Sequence, residues 1–208
     1  MQYSNSISTL SRESLETKFK PLLKFFTDGI KDLYWAEKAI EPVLKKNKSL
    51  ALTDELADAL EDHEIQTQKH VLRLEKIFQK LNIKPETKKC EAAAGIIKEA
   101  DEIIGATPEK SMTRDAVIII AMQKMEHYEI ASYGGLLQIA LTFNMNQVAD
   151  LLEKTLNEEE DADLHLTDIA ESYINLEAAE ESNTESTGKD NDEQANADKK
   201  LRSEKAQA

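Results

Sequence analysis

Two glutamates, Glu126 and Glu129, interrupt the segment MQKMEHYEIASYGG (residues 122–135), which runs between the apolar stretches AVIIIAM and GLLQIAL. A lone carboxylate carried into an apolar interior costs several kcal/mol or takes up a proton. Three other segments repeat the pattern. Successive helical residues lie about 100° apart, so each can be placed on a wheel. Leu22, Phe26, Leu33, Ile40 and Leu44 form one apolar stripe, and Glu37 lies on that face, about 40° from its centre. Leu52, Leu56, Leu74, Ile77 and Leu81 form a second stripe. The positions that should continue it hold His63, Thr67 and His70, with Gln66 at the edge. Ile118, Met122, Met125, Tyr133, Leu136 and Ala140 form the third, with Glu129 within about 20° of its axis and Glu126 about 40° to the other side. Val148, Leu152, Leu166, Ala170 and Tyr173 form the fourth, and Glu159 and Asp163 fill its gap at i and i+4.

Each stripe therefore carries a polar gap near mid-length, facing inward. Glu37, Glu126, Glu129, Glu159 and Asp163 would repel one another in a shared interior, and two histidines do not neutralise five acids. One or two bound cations would. Carboxylate oxygens with imidazole suit iron or manganese, and also zinc. The alternative is a wet, hydrogen-bonded polar layer without metal. On the wheel Glu129 is the better bridging ligand and Glu126 the better terminal one. Glu158 and Glu160 point off the face of Glu159 and read as a solvated charge run, while His127 and His165 also point away from their stripes. Tyr128 and Tyr133 read as core residues with satisfied hydroxyls, with hydrogen-bond donation or a redox relay at the centre as the other possibility.

The elements that would position these residues are four long helices. The first spans about 18–47, with Pro42 as a candidate kink. The second starts near Thr53 and runs to about 82, where NIKPETKK breaks it. A short helix at about 88–104 ends at Gly105, and ATPEKS leads into the third long helix, about 111–143. FNMNQ makes a turn before the fourth, about 146–178. Two hairpins joined by a segment long enough to cross the bundle describe an all-α four-helix bundle with one long crossover carrying a short helix. Residues 1–17 are polar and expected to be flexible. Residues 179–208, almost devoid of large apolar side chains, are expected to be a disordered tail around the domain at 18–178.

Composition agrees. The 208 residues are 40% hydrophobic and only 5% aromatic, with 6 Gly and 4 Pro, which favours helices. A net charge of −14 argues against nucleic acid and anionic membrane surfaces as partners. No apolar run reaches the length of a membrane span and no signal core is present, so the expected location is cytoplasmic. The single cysteine, Cys90, reads as a small helix residue rather than a nucleophile.

The segments KDLYWAEKAI, DHEIQTQKHVLRLEKIF, KKCEAAAGIIKEADEII, MEHYEIASYGGLL and LLEKTLNEEEDADLHLTDIAE, in this order, resemble the YciF/YciE-type ferritin-like proteins over residues 20–175, a family of unknown function. The resemblance implies a ferritin-like bundle similar to rubrerythrin and related to manganese catalase, a homodimer, and an association with bacterial stress responses. It supplies no established reaction. The usual di-iron carboxylate pattern takes one Glu from each of two helices and Glu-x-x-His from each of the others. Glu37 and Glu129 (or Glu126) match the first kind. The second helix departs, with Thr67 three residues before His70, and the fourth has Ala162 where a histidine would stand. The candidate ligands, strongest first, are Glu37, Glu129, Glu159, Glu126, His63 and His70, then Asp163 and Gln66. Two functions follow as expectations. One is a two-ion oxidoreductase acting on peroxide, or on dioxygen and ferrous iron. The other is a non-enzymatic stress-protection or binding protein with a vestigial or structural metal site. Iron storage in a shell is the weaker third.

Overall fold

The structure is a computed structural model that describes residues 20–181. The expected flexible N-terminus and most of the expected tail lie outside the described residues, and residues 179–181, placed in that tail, are still helical. Five α-helices follow in order: α1 (Lys20–Leu50), α2 (Asp54–Leu81), α3 (Glu91–Gly105), α4 (Met112–Thr142) and α5 (Asn146–Ile169). A single π-helical turn, Ala170–Ile174, continues α5, and the chain stays helical to residue 181. No strand occurs among the described residues.

Helix ends follow local chemistry. The first turn of α2 carries Asp54 and Glu55, whose charges oppose the positive end of the helix dipole. Asn82 ends α2 in the left-handed region at φ 57°, and its N–H turns back to the carbonyl of Gln79. Ser111 caps α4 by accepting from the N–H of Arg114 at 3.1 Å. Cys90 is the N-cap of α3 rather than a residue inside it, and its sulfur accepts from the Ala93 N–H at 3.4 Å. The helical run of α1 continues unbroken through Pro42, and the kink it allowed for does not end the helix.

The two hairpins, α1–α2 and α4–α5, pack so that α2 also lies against α5 and α1 against α4. The crossover brings α3 onto the outside of α4, with its edge against α1. This is the expected ferritin-like four-helix bundle with a long crossover and a short helix. Two stripe residues are not core: Leu22 and Leu52 are exposed. Leu52 precedes α2, where its backbone rather than its side chain is engaged.

The apolar interior comes in two clusters. Near one end Ile40, Leu44, Leu60, Met122, Met125 and Leu166 pack together. Towards the other, Phe26, Ile30, Leu33, Leu74, Tyr133 and Leu152 do so. Along every long helix the gap between the clusters holds the polar residues found on the wheel.

Two carboxylates tie the connections to the bundle. Asp115, fully buried on α4, accepts from the N–H groups of Leu52 and Thr53 at 2.7 and 2.9 Å and from the Thr53 hydroxyl at 2.7 Å. It caps the start of α2 from a different helix. Glu181 likewise accepts from the N–H groups of Met112 and Thr113, at 2.8 and 3.0 Å, at the start of α4. Hydrogen bonds to a charged acceptor are among the stronger ones. Asp115→Ala is expected to destabilise the bundle by about 3 kcal/mol, with Asp58→Ala on the exposed face of α2 within about 0.5 kcal/mol of the parent. Equal urea midpoints for the two variants would show that the cap contributes nothing.

Candidate metal centre

Six side chains converge in the layer between the apolar clusters: Glu37 from α1, His63 and His70 from α2, Glu126 and Glu129 from α4, and Glu159 from α5. All are buried, with Glu126, Glu159 and His70 at 0% exposure. The i, i+7 spacing of the two histidines stacks them on one face of α2 with ring centres 6.4 Å apart. One face of α4 presents Glu126 and Glu129 by the same logic at i, i+3.

The polar atoms gather into two groups. One group is His63, Glu126, Glu129 and Glu159; the other is Glu37, His70 and Glu159, and within each the ligand atoms lie within 4.8 Å of one another. Glu159 belongs to both. Its Oε2 is 3.6 Å from His63 Nε2 and its Oε1 2.8 Å from His70 Nδ1. His63 Nε2 is 3.1 Å from Glu126 Oε2, and His70 Nδ1 is 3.5 Å from Glu37 Oε1.

These are close approaches without hydrogen-bond alignment. His63 Nε2, His70 Nδ1, both oxygens of Glu126 and of Glu159, and Glu129 Oε1 are buried and have no hydrogen-bond partner. Buried polar atoms left unpartnered cost about 1–3 kcal/mol each, and native interiors hold few of them. Nitrogen and carboxylate donors of this kind, unpartnered and aimed at common points, fit a metal ion.

The outer edge of the layer orients the inner one. His70 Nε2 lies 2.9 Å from Glu158 Oε2, and Arg73 holds Glu158 through Nη1 at 2.8 Å and Nη2 at 3.2 Å while also reaching Thr155 Oγ1 at 2.5 Å. A neutral His70 that donates from Nε2 to Glu158 turns the lone pair of Nδ1 inward. His63 is set in the same way, with Gln66 Oε1 3.3 Å from Nδ1 and Nε2 facing the acids. The Tyr133 hydroxyl, fully buried, donates to Glu37 Oε1.

Burial would push both histidines down, but the acids outweigh it. Glu126 and Glu159 hold His63 at about 10, and Glu159 and Glu37 hold His70 at about 10. Burial pushes Glu159 up to about 7 against the pull of His70 and His63. Glu129 rises well above the usual carboxylate range, first through burial and then through the charges of Glu37, Glu159 and Glu126. Burial, followed by the charge of Glu37, raises Tyr133 as well. Glu158 is lowered despite partial burial, because Arg73 and His70 stabilise its charge.

Eight residues were candidate ligands from the sequence, and the structure brings six of them together. Gln66 lies outside both groups, on the outer nitrogen of His63. Asp163 turns to the surface seam of α4 and α5, where its Oδ1 is 3.1 Å from His127 Nδ1. The geometry thus separates Asp163 from Glu159, which the wheel put on one face, because one turn further along α5 Asp163 lies about 40° further round the axis, towards α4. Glu159 is the residue common to both groups, whereas Glu129, which the wheel favoured as the bridging ligand, belongs to one. Glu158, expected in a solvated run, instead supports His70, and its position about 100° from Glu159 turns it towards α2. Arg73, three residues after His70 and 7% exposed, was the signal for that pair: a cation on an inward face needs an acid. His127 and His165 are exposed as expected. The hydroxyl of Tyr128 is satisfied by Cys90 Sγ at 3.0 Å, away from the centre.

Two outcomes follow from the charge balance. Groups raised on folding stabilise fully below their unfolded pKa and lose that contribution as the pH climbs through the folded value. For the histidines the window is 6.5 to about 10, and for Glu159 it is 4.5 to about 7. Metal binding needs the ligands deprotonated. The rise in melting temperature caused by manganese(II), relative to chelator, is therefore expected to grow from pH 6.5 to about 10, and a pH-independent rise would contradict this balance. In chelator, Glu129→Leu should melt several degrees above the parent, because it removes an unpartnered buried carboxyl group worth about 1–3 kcal/mol. A lower melting temperature would mean that Glu129 supports the metal-free fold.

Residues 22–179 match the family described as a domain of unknown function, DUF892. The chain is 38% identical over 160 residues to Protein YciF of Escherichia coli (strain K12), covering 76% of this chain and 96% of that one. The crystal structure of the E. coli stress protein YciF superposes with a TM-score of 0.69 at 37% identity, covering 73% of this chain and 96% of that one. YcfI from Rhodopseudomonas palustris superposes with a TM-score of 0.67 at 38% identity, covering 69% and 90%. Over nearly its whole described length, the chain belongs to the DUF892 family of YciF-type proteins.

Proposed function

We propose that the buried layer would hold two iron or manganese ions, with Glu159 placed to serve both, and that the protein works in stress protection by consuming peroxide or by using dioxygen to oxidise ferrous iron. The observation that carries this reading is the convergence of nitrogen and carboxylate oxygen atoms from four helices into two groups that share Glu159, those from α2, α4 and α5 including atoms without a hydrogen-bond partner. Iron or manganese held there would supply the redox change that peroxide or dioxygen chemistry requires. His63, Glu126 and Glu129 would hold one ion, Glu37 and His70 the other, with Glu159 shared. Glu158 and Arg73 keep His70 in the tautomer that faces inward. The Tyr133 hydroxyl, donating to Glu37, fixes that carboxylate and places a proton donor at the edge of the centre. The two apolar clusters limit water on either side. Cytoplasmic location and assembly as a homodimer complete the reading. The relative named as a stress protein supports the physiological setting.

Purification with each metal, elemental analysis and assays of peroxide consumption and ferrous-iron oxidation test it. The parent should carry two ions per chain and Glu159→Ala at most one, with turnover lost. A parent that takes up no iron or manganese would end the proposal. If Glu159→Ala kept full metal content and an unchanged peroxide tolerance in cells, a binding or stress-protection protein with a structural polar centre would be the better description.

A further inference from the structure

The centre is closed on most sides, but one cavity of about 220 Å³ opens from the seam between α2 and α5. Its inner wall includes the buried His63 and Glu126, its outer wall Asp62, Asp161 and His165, with the half-buried Gln66 between. The outer three are exposed, whereas Glu126 is 0% exposed and neither of its oxygens has a hydrogen-bond partner. Two other hollows, one between α1 and α4 beside Cys90 and one around residues 144–148, touch none of the six centre residues.

We propose that this opening is the route by which hydrated divalent cations reach the centre, with Asp62, Asp161 and His165 at the mouth and Gln66 midway. This rests on the reading that the centre holds metal. The sequence of donors suits stepwise loss of water. A cation with its water shell meets exposed carboxylates and an imidazole, then the neutral amide of Gln66, and then His63 and the unpartnered carboxylate of Glu126. The cavity has room for several waters, so the ion need not be stripped bare at the mouth. A net charge of −14 draws cations towards the surface, and the two mouth acids focus that attraction at the seam. The same field disfavours anions and leaves small neutral molecules unaffected.

A route governs rates and leaves the bound state alone, and that separates it from a ligand role. The test follows uptake of cobalt(II) by the metal-free full chain in stopped flow, through its visible absorption. Ala162→Trp, placed to fill the cavity, should slow association and dissociation by a similar factor, about tenfold or more, with stoichiometry and Kd unchanged. Asp62→Lys with Asp161→Lys should slow association about tenfold at low salt, with the difference removed at high salt. The exposed charge reversals decide the matter alone if Ala162→Trp fails to fold. Gly135→Trp, beside the hollow between α1 and α4, serves as the control and should load at the parent rate. Parent-like loading by the charge-reversed and cavity-filled variants would overturn the route while leaving the metal reading intact. A parent that binds no cobalt would overturn the metal reading, and the route with it.

Discussion

Four carboxyl groups and two imidazoles share a buried space, and the rest of the structure is arranged around that fact. In such a medium like charges repel strongly and unpaired polar atoms lose their solvation. The chain answers in three ways. It raises Glu129 and Glu159 towards the protonated form, it holds His63 and His70 as cations, and it brings in Tyr133, Arg73 and Glu158 at the edges. These measures still leave a set of inward atoms without partners. A cation within each of the two groups of donors would give those atoms a common partner.

The scaffold carries the cost of that layer. Each long helix contributes apolar residues on both sides of its polar gap, so two separate hydrophobic clusters clamp the centre from above and below. Burial of large side chains such as Phe26, Ile30, Leu44 and Leu60, each worth about 1.5–3 kcal/mol, offsets a layer that is unfavourable on its own. The connections are fixed by charge. Asp115 and Glu181 accept from backbone N–H groups at the starts of α2 and α4, so these two helix ends are held by side chains from distant parts of the chain.

Position within the layer divides the acids by role. Glu159 faces both histidines and is common to both groups of donors. Glu158, its neighbour, is turned about 100° away and meets the far side of His70 instead, so that consecutive residues of α5 touch the same imidazole from opposite sides. A carboxylate behind a histidine fixes its tautomer and raises its basicity. The pairing with Arg73 keeps Glu158 charged for that purpose.

Much of this was legible in the sequence because helices have a fixed angular period. The four stripes, the gap in each, and six inward polar residues follow from spacing alone, as do the turns at NIKPETKK and FNMNQ and the order of the hairpins. Spacing does not say how far each face is rotated against its neighbour. That rotation sent Asp163 to His127, made Glu159 the residue common to both groups of donors, and recruited Glu158 and Arg73. It also exposed Leu22 and Leu52, which lie where the first helix runs past its partners and where the chain enters the second. The sequence by itself determined the apolar stripe of each helix and the six polar residues within the gaps, since that pattern is a property of one helix. Only the tertiary structure decided which of them meet, because contact depends on the relative rotation and offset of four helices packed against each other.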